Sequence, residues 1–381
     1  MTILIVAIVA GLFLAYANGA NDNFKGVATL FGSGVTGYRS AIVWGTVTTT
    51  LGSLAALVLA RGLLAAFSGK GLVPERVLEI PHFPLAVGLA AGATVMLATR
   101  FGFPISTTHA LVGALVGTGL LASNTGINLA KVSTTFLVPL LAGPILAVGG
   151  ALLVYPALRS ARERLGLRRE SCVCVGTQVV SLVPVGVSPE HALSLYTASL
   201  PATSITTGMT PMCLDRYHGE VFGIEAGPAL DRAHYLSAGV VSFARGLNDT
   251  PKIAAILVAG AAVSPAAGMV AVALLMALGG LLNARRIAET MGHRVTVMNA
   301  GQGFAANLVT GALVIAASWK GLPVSMTHVS CGALFGIGAV TGQARWKTIA
   351  QILVAWVTTL PVAAILGAVF FLILRQIHPV P

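Results

Sequence analysis

Charge is scarce in this chain. Only 9% of its 381 residues are Asp, Glu, Lys or Arg, against roughly 25% in an ordinary soluble domain. Acidic residues are the rarer sign, 12 against 23 Lys and Arg. So few charges exclude a protein whose whole surface faces water. Cysteine is scarce too: Cys172, Cys174, Cys213 and Cys331 are the only ones, and three of them fall in a central loop read below as cytoplasmic and reducing, so structural disulfides are not expected. Cys172-x-Cys174 with Cys213 and His218 fits no standard zinc spacing, so no metal is assigned. Neither a P-loop nor a dinucleotide fingerprint occurs, which argues against a nucleotide cofactor and an ATP-driven pump. The net charge of +11 invites a nucleic-acid reading. The basic residues, however, form no stripe interleaved with aromatics, so no nucleic-acid partner is assigned.

Apolar sequence fills the gap. Mean hydropathy is +0.87. Long apolar runs cover 2–17, 40–60, 83–99, 134–158, 266–282, 304–317 and 349–374. The longer ones reach the ~20 residues that a helix needs to cross a bilayer. The first lacks a basic n-region and leads into a polar motif, so it reads as a retained membrane segment rather than a signal peptide. Glycine is abundant, 44 residues, which suits closely packed membrane helices. Arg159, Arg162, Arg164, Arg168 and Arg169 follow one span directly. By the positive-inside rule they put the central loop in the cytoplasm, and Arg285, Arg286 and Arg294 mark a second cytoplasmic loop. The expected class is an all-α polytopic membrane protein in the cell membrane, with the lipid bilayer as its solvent.

The chain also repeats itself. Ala17-Asn18-Gly19-Ala20-Asn21-Asp22-Asn23-Phe24-Lys25 matches Ala244-Arg245-Gly246-Leu247-Asn248-Asp249-Thr250-Pro251-Lys252, with Gly, Asn, Asp and Lys in register. In the same order, Phe103-Pro104-Ile105-Ser106-Thr107-Thr108-His109 matches Leu322-Pro323-Val324-Ser325-Met326-Thr327-His328. The organisation read from this is an N-terminal membrane repeat, 1–158, a central cytoplasmic loop or small insert, 159–234, and a C-terminal membrane repeat, 235–381. Short apolar runs in the insert, such as Val179–Val187, read as strands. Internal duplication points to a transporter built of two inverted repeats, with broken helices and re-entrant hairpins around a midplane site.

Each motif suggests chemistry. A carboxylate at membrane depth needs a partner or a watery cavity. Asp22 has Lys25 three residues on, and Asp249 has Lys252, so each pair can share a helix face. Pro251 suits a first helical turn and Asn248 or Asp249 an N-cap, which predicts a helix start at each Asn-Asp motif, its positive end aimed at an anion. Ser106, Thr107, Thr108, Ser325 and Thr327 follow prolines at the starts of short apolar runs. Hydroxyls beside free backbone N–H groups make a neutral cradle for an oxyanion. Alone, such residues more often bond back to helix carbonyls. His109 and His328 suit a proton, a metal or the anion, or are packing residues. Gln302 is a further polar group at a span start, with a simple turn as its plain reading.

These residues resemble the inorganic phosphate transporter (PiT) family. Gly19-Ala20-Asn21-Asp22, Gly246-Leu247-Asn248-Asp249 and the two Pro-x-Ser-x-Thr-His segments carry the resemblance. It implies an inverted-repeat helical fold, often dimeric, that moves phosphate coupled to sodium or protons. Asn21, Asp22, Asn248 and Asp249 look like the core of the ion and phosphate site. Ser106, Thr107, Thr108, Ser325 and Thr327 look like phosphate or sodium ligands. Typical members continue Asn-Asp-Val-Ala-Asn-Ala; here Lys25 and Lys252 stand where the second Asn is found. An ammonium has donors and no acceptor, so it repels a cation rather than ligating one. The expectation is a sodium-independent phosphate carrier, proton-coupled or uncoupled. The alternatives are a sulfate or other oxyanion permease, a passive channel, and a membrane-embedded enzyme, for which the spacing supplies no catalytic constellation.

Overall fold

Backbone in hydrocarbon must satisfy its own N–H and C=O groups, so apolar runs of spanning length close into helices. The computed structural model describes residues 2–59, 61–123, 126–168, 171–177, 203–209, 222–261 and 263–377. Its long helices are α1 (Thr2–Asp22), α2 (Tyr38–Leu59), α3 (His82–Phe101), α4 (Thr107–Ala122), α5 (Val138–Arg164), α6 (Ala226–Ala261), α7 (Pro265–Asn283), α8 (Ala300–Trp319), α9 (Met326–Thr341) and α10 (Trp346–Ile377). Among the described residues, 7 helical segments are long and apolar enough to cross a membrane. The 36-residue α6 is not one of them. It carries Arg245, Asp249 and Lys252 in mid-course, which is why hydropathy alone passes over it.

The chain divides into two units, 1–155 with 234–381, and 156–233. Among the described residues, the regular structure of the first is helical. The second contains a three-stranded antiparallel sheet, β1 (Ser171–Thr177) between β2 (Thr203–Met209) and β3 (Phe222–Glu225), with Val173 opposite both Thr207 and Ile224. The run 179–187 read as strand lies outside the described residues, as do Cys213 and His218.

Both Pro-x-Ser motifs start helices. Ser106 and Ser325 are N-caps with nearly identical backbone angles, φ −92° and ψ 114° against φ −93° and ψ 112°. Each side chain accepts a bond from the backbone N–H three residues on, at His109 and His328. The helices that follow, α4 and α9, are 16 residues each. At 1.5 Å per residue that is about 24 Å, short of a core about 30 Å thick.

The Asn-Asp motifs differ from expectation. Neither starts a helix. Asp22 is the last residue of α1, and the chain turns through Lys25 N–H to Asp22 C=O before a short helix at Ala28–Gly32. Asn248 and Asp249 sit inside α6, which runs on past Pro251. Pro251 lacks the N–H that would bond the Leu247 carbonyl, yet the helix continues, with Asn248 and Lys252 on either side of it bonded to the Val324 carbonyl and Thr250 bonded to Ser53. The positive helix ends that reach this region are those of α4 and α9.

The duplicated glycines set how the halves interlock. α1 crosses α7 at Gly19, where a Cβ would come within 2.0 Å of the Met276 carbonyl oxygen, and Gly279 meets the Tyr16 oxygen equally closely. α6 crosses α2 at Gly246, equally close to the Thr49 oxygen, while Gly52 meets Phe243 at 2.0 Å. The register that aligns Asn21 with Asn248 also aligns Gly19 with Gly246, Gly52 with Gly279 and Tyr16 with Phe243. Each half therefore lays its motif helix on the other half's copy of one partner helix, α1 on α7 and α6 on α2. Both crossings are backbone-to-backbone, which only glycine permits.

Candidate functional site

Two lysines and two aspartates from the repeated motifs meet the two hairpin tips in the interior. These tips, 102–109 and 320–328, are the segments that join α3 to α4 and α8 to α9, with the first turn of the helix that follows. Lys25 is 2% exposed and Lys252 1%. The Lys25 ammonium donates to Asp22, to Asn21 Oδ1 at 2.8 Å, to the Ile105 carbonyl at 2.8 Å and to Thr327 Oγ1 at 2.6 Å. Lys252 donates to Asp249 Oδ1 at 3.3 Å, to the Val324 carbonyl at 2.6 Å and to Thr108 Oγ1 at 3.0 Å. Ile105 and Val324 are equivalent positions in the repeat, as are Thr108 and Thr327. Each lysine thus binds the carboxylate and tip carbonyl of its own half and the tip hydroxyl of the other. Those hydroxyls in turn donate across to the opposite tip, Thr327 to Ile105 O at 2.7 Å and Thr108 to Val324 O at 3.5 Å.

The asparagines follow the pattern in part, bonding equivalent hydroxyls in opposite directions. Asn21 donates to Thr99 at 2.8 Å and to the Phe103 carbonyl. Asn248 donates to the Val324 carbonyl at 3.1 Å and accepts from Ser318 at 3.4 Å. Thr99 and Ser318 are again equivalent positions.

Symmetry fails where Asn18 of the first half aligns with Arg245 of the second, and again where Thr107 aligns with Met326. Arg245 is wholly buried. It donates to Asn18 Oδ1 at 2.6 Å and to Asn23 Oδ1 at 3.0 Å, and its Nε lies 3.9 Å from Asp249. Asn18 bridges the carboxylates, 2.8 Å from Asp22 and 3.4 Å from Asp249, and also donates to Thr107 at 3.0 Å. Three cations, Lys25, Lys252 and Arg245, therefore face two carboxylates, Asp22 and Asp249, in one buried network. Burying ions costs several kcal/mol each unless they are paired and hydrogen-bonded. Here every carboxylate is paired, and one positive charge is left over.

Most residues singled out from the sequence converge here: Asn21, Asp22, Lys25, Thr107, Thr108, Asn248, Asp249, Lys252 and Thr327, with Ser106 and Ser325 as the caps beside them. Thr107 holds Asp22 at 3.0 Å, which makes it an anchor for the carboxylate. His109 and His328 stand ring to ring, 4.4 Å between centroids, and His328 lies 3.9 Å from Trp356. Gln302 is elsewhere. It forms a capping box with Asn299 at the start of α8 and donates to Tyr155 at 3.4 Å. Sequence reasoning missed Asn18, Thr99, Arg245 and Ser318. The signal for Arg245 was present, as a guanidinium in apolar sequence three residues before the Asn-Asp motif.

Comparison with known proteins decides the family. The model of the phosphate transporter family matches residues 18–367. The chain belongs to that family. The family is one of transporters rather than enzymes, which removes the membrane-enzyme alternative. Among similar proteins is one named "Putative phosphate permease" from Thermococcus kodakarensis, 29% identical over 97% of each chain. Another is "Inorganic phosphate transporter 2-1, chloroplastic" of Arabidopsis thaliana, 27% identical over 96% of this chain and 71% of that one. A solved structure titled "The sodium-dependent phosphate transporter" shares the fold, with TM-score 0.73 at 23% identity over 99% of this chain and 100% of that one.

Proposed function

We propose that this family member carries inorganic phosphate across the cell membrane without sodium, coupled to protons or uncoupled. The observation that carries this reading is the oxygen cage around Lys25. Amide, carboxylate, carbonyl and hydroxyl oxygens surround the ammonium, a donor set suited to a bound metal cation. The cage around Lys252 repeats three of these four oxygen types. A tethered ammonium in that place supplies the positive charge permanently and leaves no acceptor for sodium.

The excess positive charge, the N-termini of α4 and α9 and the capping hydroxyls of Ser106 and Ser325 favour an oxyanion in the same region. Capping uses an oxygen lone pair of each serine and leaves its O–H as a donor. The anion competes with Asp22 and Asp249 for the lysines, and with the lysines for Thr108 and Thr327. Binding therefore loosens the cross-half bonds as it forms new ones, which gives a physical route from binding to movement of one half against the other. The repeats are read as inverted and the short helices as re-entrant. His109 and His328, flanked by Lys252 and Lys25, are the groups nearby suited to exchanging a proton. On the same reading the arginine run that begins in the last turns of α5 keeps the central segment in the cytoplasm. The family resemblance adds a homodimer, which cross-linking in the membrane tests.

The test of transport is accumulation of labelled phosphate by proteoliposomes holding purified protein. Accumulation above the outside concentration under an imposed proton gradient supports a coupled carrier, and equilibration only supports an uncoupled one. Equal competition by unlabelled sulfate would replace phosphate with a broader oxyanion class.

A further inference from the structure

A cavity of about 400 Å³ opens beside the site, lined by Thr99, Arg100, Asn283, Arg285 and Arg286 among others. It has room for an oxyanion and several waters, at about 30 Å³ per water. Its charge is one-sided, since none of its described lining residues is a carboxylate. The three arginines are exposed, while Thr99 is buried. Two of the arginines are held in place. Arg286 donates to the Arg100 carbonyl at the end of α3, and the Arg285 guanidinium lies 5.7 Å from the centre of the Tyr38 ring. A guanidinium has five donors, so these contacts leave most of them for a ligand.

What the cavity touches matters most. Thr99 accepts from Asn21 at 2.8 Å, and Asn21 accepts from the Lys25 ammonium at 2.8 Å. One side chain, Asn21, links the arginine-lined cavity to the charged cluster. Thr99 spends its own proton on the Val95 carbonyl at 2.7 Å, so its orientation is fixed by α3.

We infer that this cavity is a second binding site for a phosphate group, where Arg100, Arg285 and Arg286 hold the ion between bulk water and the Asn21–Lys25 end of the central cluster. This rests on the reading of the protein as a phosphate carrier. Guanidinium groups match phosphate oxygens two at a time, and a one-sign cleft raises the local concentration of its counter-ion. A lipid headgroup offers the same phosphate chemistry. The link through Thr99 and Asn21 favours the free ion.

The experiment is counterflow exchange of labelled inorganic phosphate in proteoliposomes, which samples both faces of the protein. Wild type is compared with the triple variant Arg100→Gln, Arg285→Gln, Arg286→Gln and with the corresponding triple Lys variant. Vesicles are made of phosphatidylcholine alone or with phosphatidylglycerol. The Gln variant is expected to raise the KM for phosphate about tenfold at low salt. The difference should shrink in 1 M potassium chloride, where screening acts within about 3 Å. Maximal exchange should be retained, the Lys variant should recover most of the affinity, and lipid composition should not matter. An unchanged KM in the Gln variant of an exchanging protein overturns the cavity site and leaves the transport reading intact. A fall in maximal exchange alone, insensitive to salt, means a structural role and also overturns it. A KM that follows phosphatidylglycerol content assigns the arginines to headgroups and overturns the free-ion site. Absence of exchange by wild type itself overturns the transport reading.

Discussion

Lys25 of the first half bonds Thr327 of the second at 2.6 Å, and Lys252 of the second bonds Thr108 of the first at 3.0 Å. The two bonds are related by the sequence repeat and cross in opposite directions. They tie each motif to the other half's hairpin tip, so the halves form one site and neither has a complete one alone.

Removing either hydroxyl tests this tie. Thr327→Val and Thr108→Val keep the shape and leave an ammonium short of one acceptor, at a cost of about 1–3 kcal/mol. Both variants should lose most phosphate uptake, and the Ser variants should retain it. Normal uptake by both Val variants would mean that the cross-half bonds have no part in transport.

Arg245 should matter for stability as much as for transport. Its guanidinium is wholly buried and serves Asn18, Asn23 and Asp249. Arg245→Met leaves Asp249 paired with Lys252 and strips the buried Oδ1 atoms of Asn18 and Asn23 of their guanidinium donor, at a cost of about 1–3 kcal/mol for each acceptor left unsatisfied. Thermal unfolding in detergent should fall well below that of Arg159→Met, a change in an exposed pair with Glu163. Equal melting temperatures for the two variants would refute the role given to Arg245.

The two glycine crossings should respond alike. Gly19→Ala and Gly246→Ala each place a methyl group 2.0 Å from a backbone oxygen, where a helix must move. Overpacking of this kind costs about 1–3 kcal/mol. Gly149→Ala, where a Cβ meets nothing within 4 Å, is the control. Yield and melting temperature check the comparison, and tolerance at one crossing with failure at the other would argue against equivalent packing.

Much of this was legible in the sequence. Apolar runs gave the spanning helices, because hydrocarbon leaves helical closure as the main option for such a chain. The duplicated motifs marked where polar groups had to meet. Ser106 and Ser325 as helix starts followed from proline and hydroxyl placement, a local property. What failed was non-local. Pro251 suggested a helix start, yet α6 runs through it, and the side chains around it bond Thr108, the Val324 carbonyl and Ser53, all distant in sequence. The Arg245–Asn18 corner escaped because the repeat directs attention to positions that match, and this one works by differing. Gln302, a polar group at a span start, is ambiguous in the sequence between ligand and cap, and the structure shows it in a capping box with Asn299.

The central claim is that two tethered ammonium groups stand in for bound sodium. The most direct measurement is labelled phosphate uptake by reconstituted protein in sodium buffer against choline buffer, run beside the Lys25→Asn, Lys252→Asn double variant. The account predicts equal uptake by wild type in both buffers and a gain of sodium dependence in the double variant. A strong sodium requirement in wild type would contradict it.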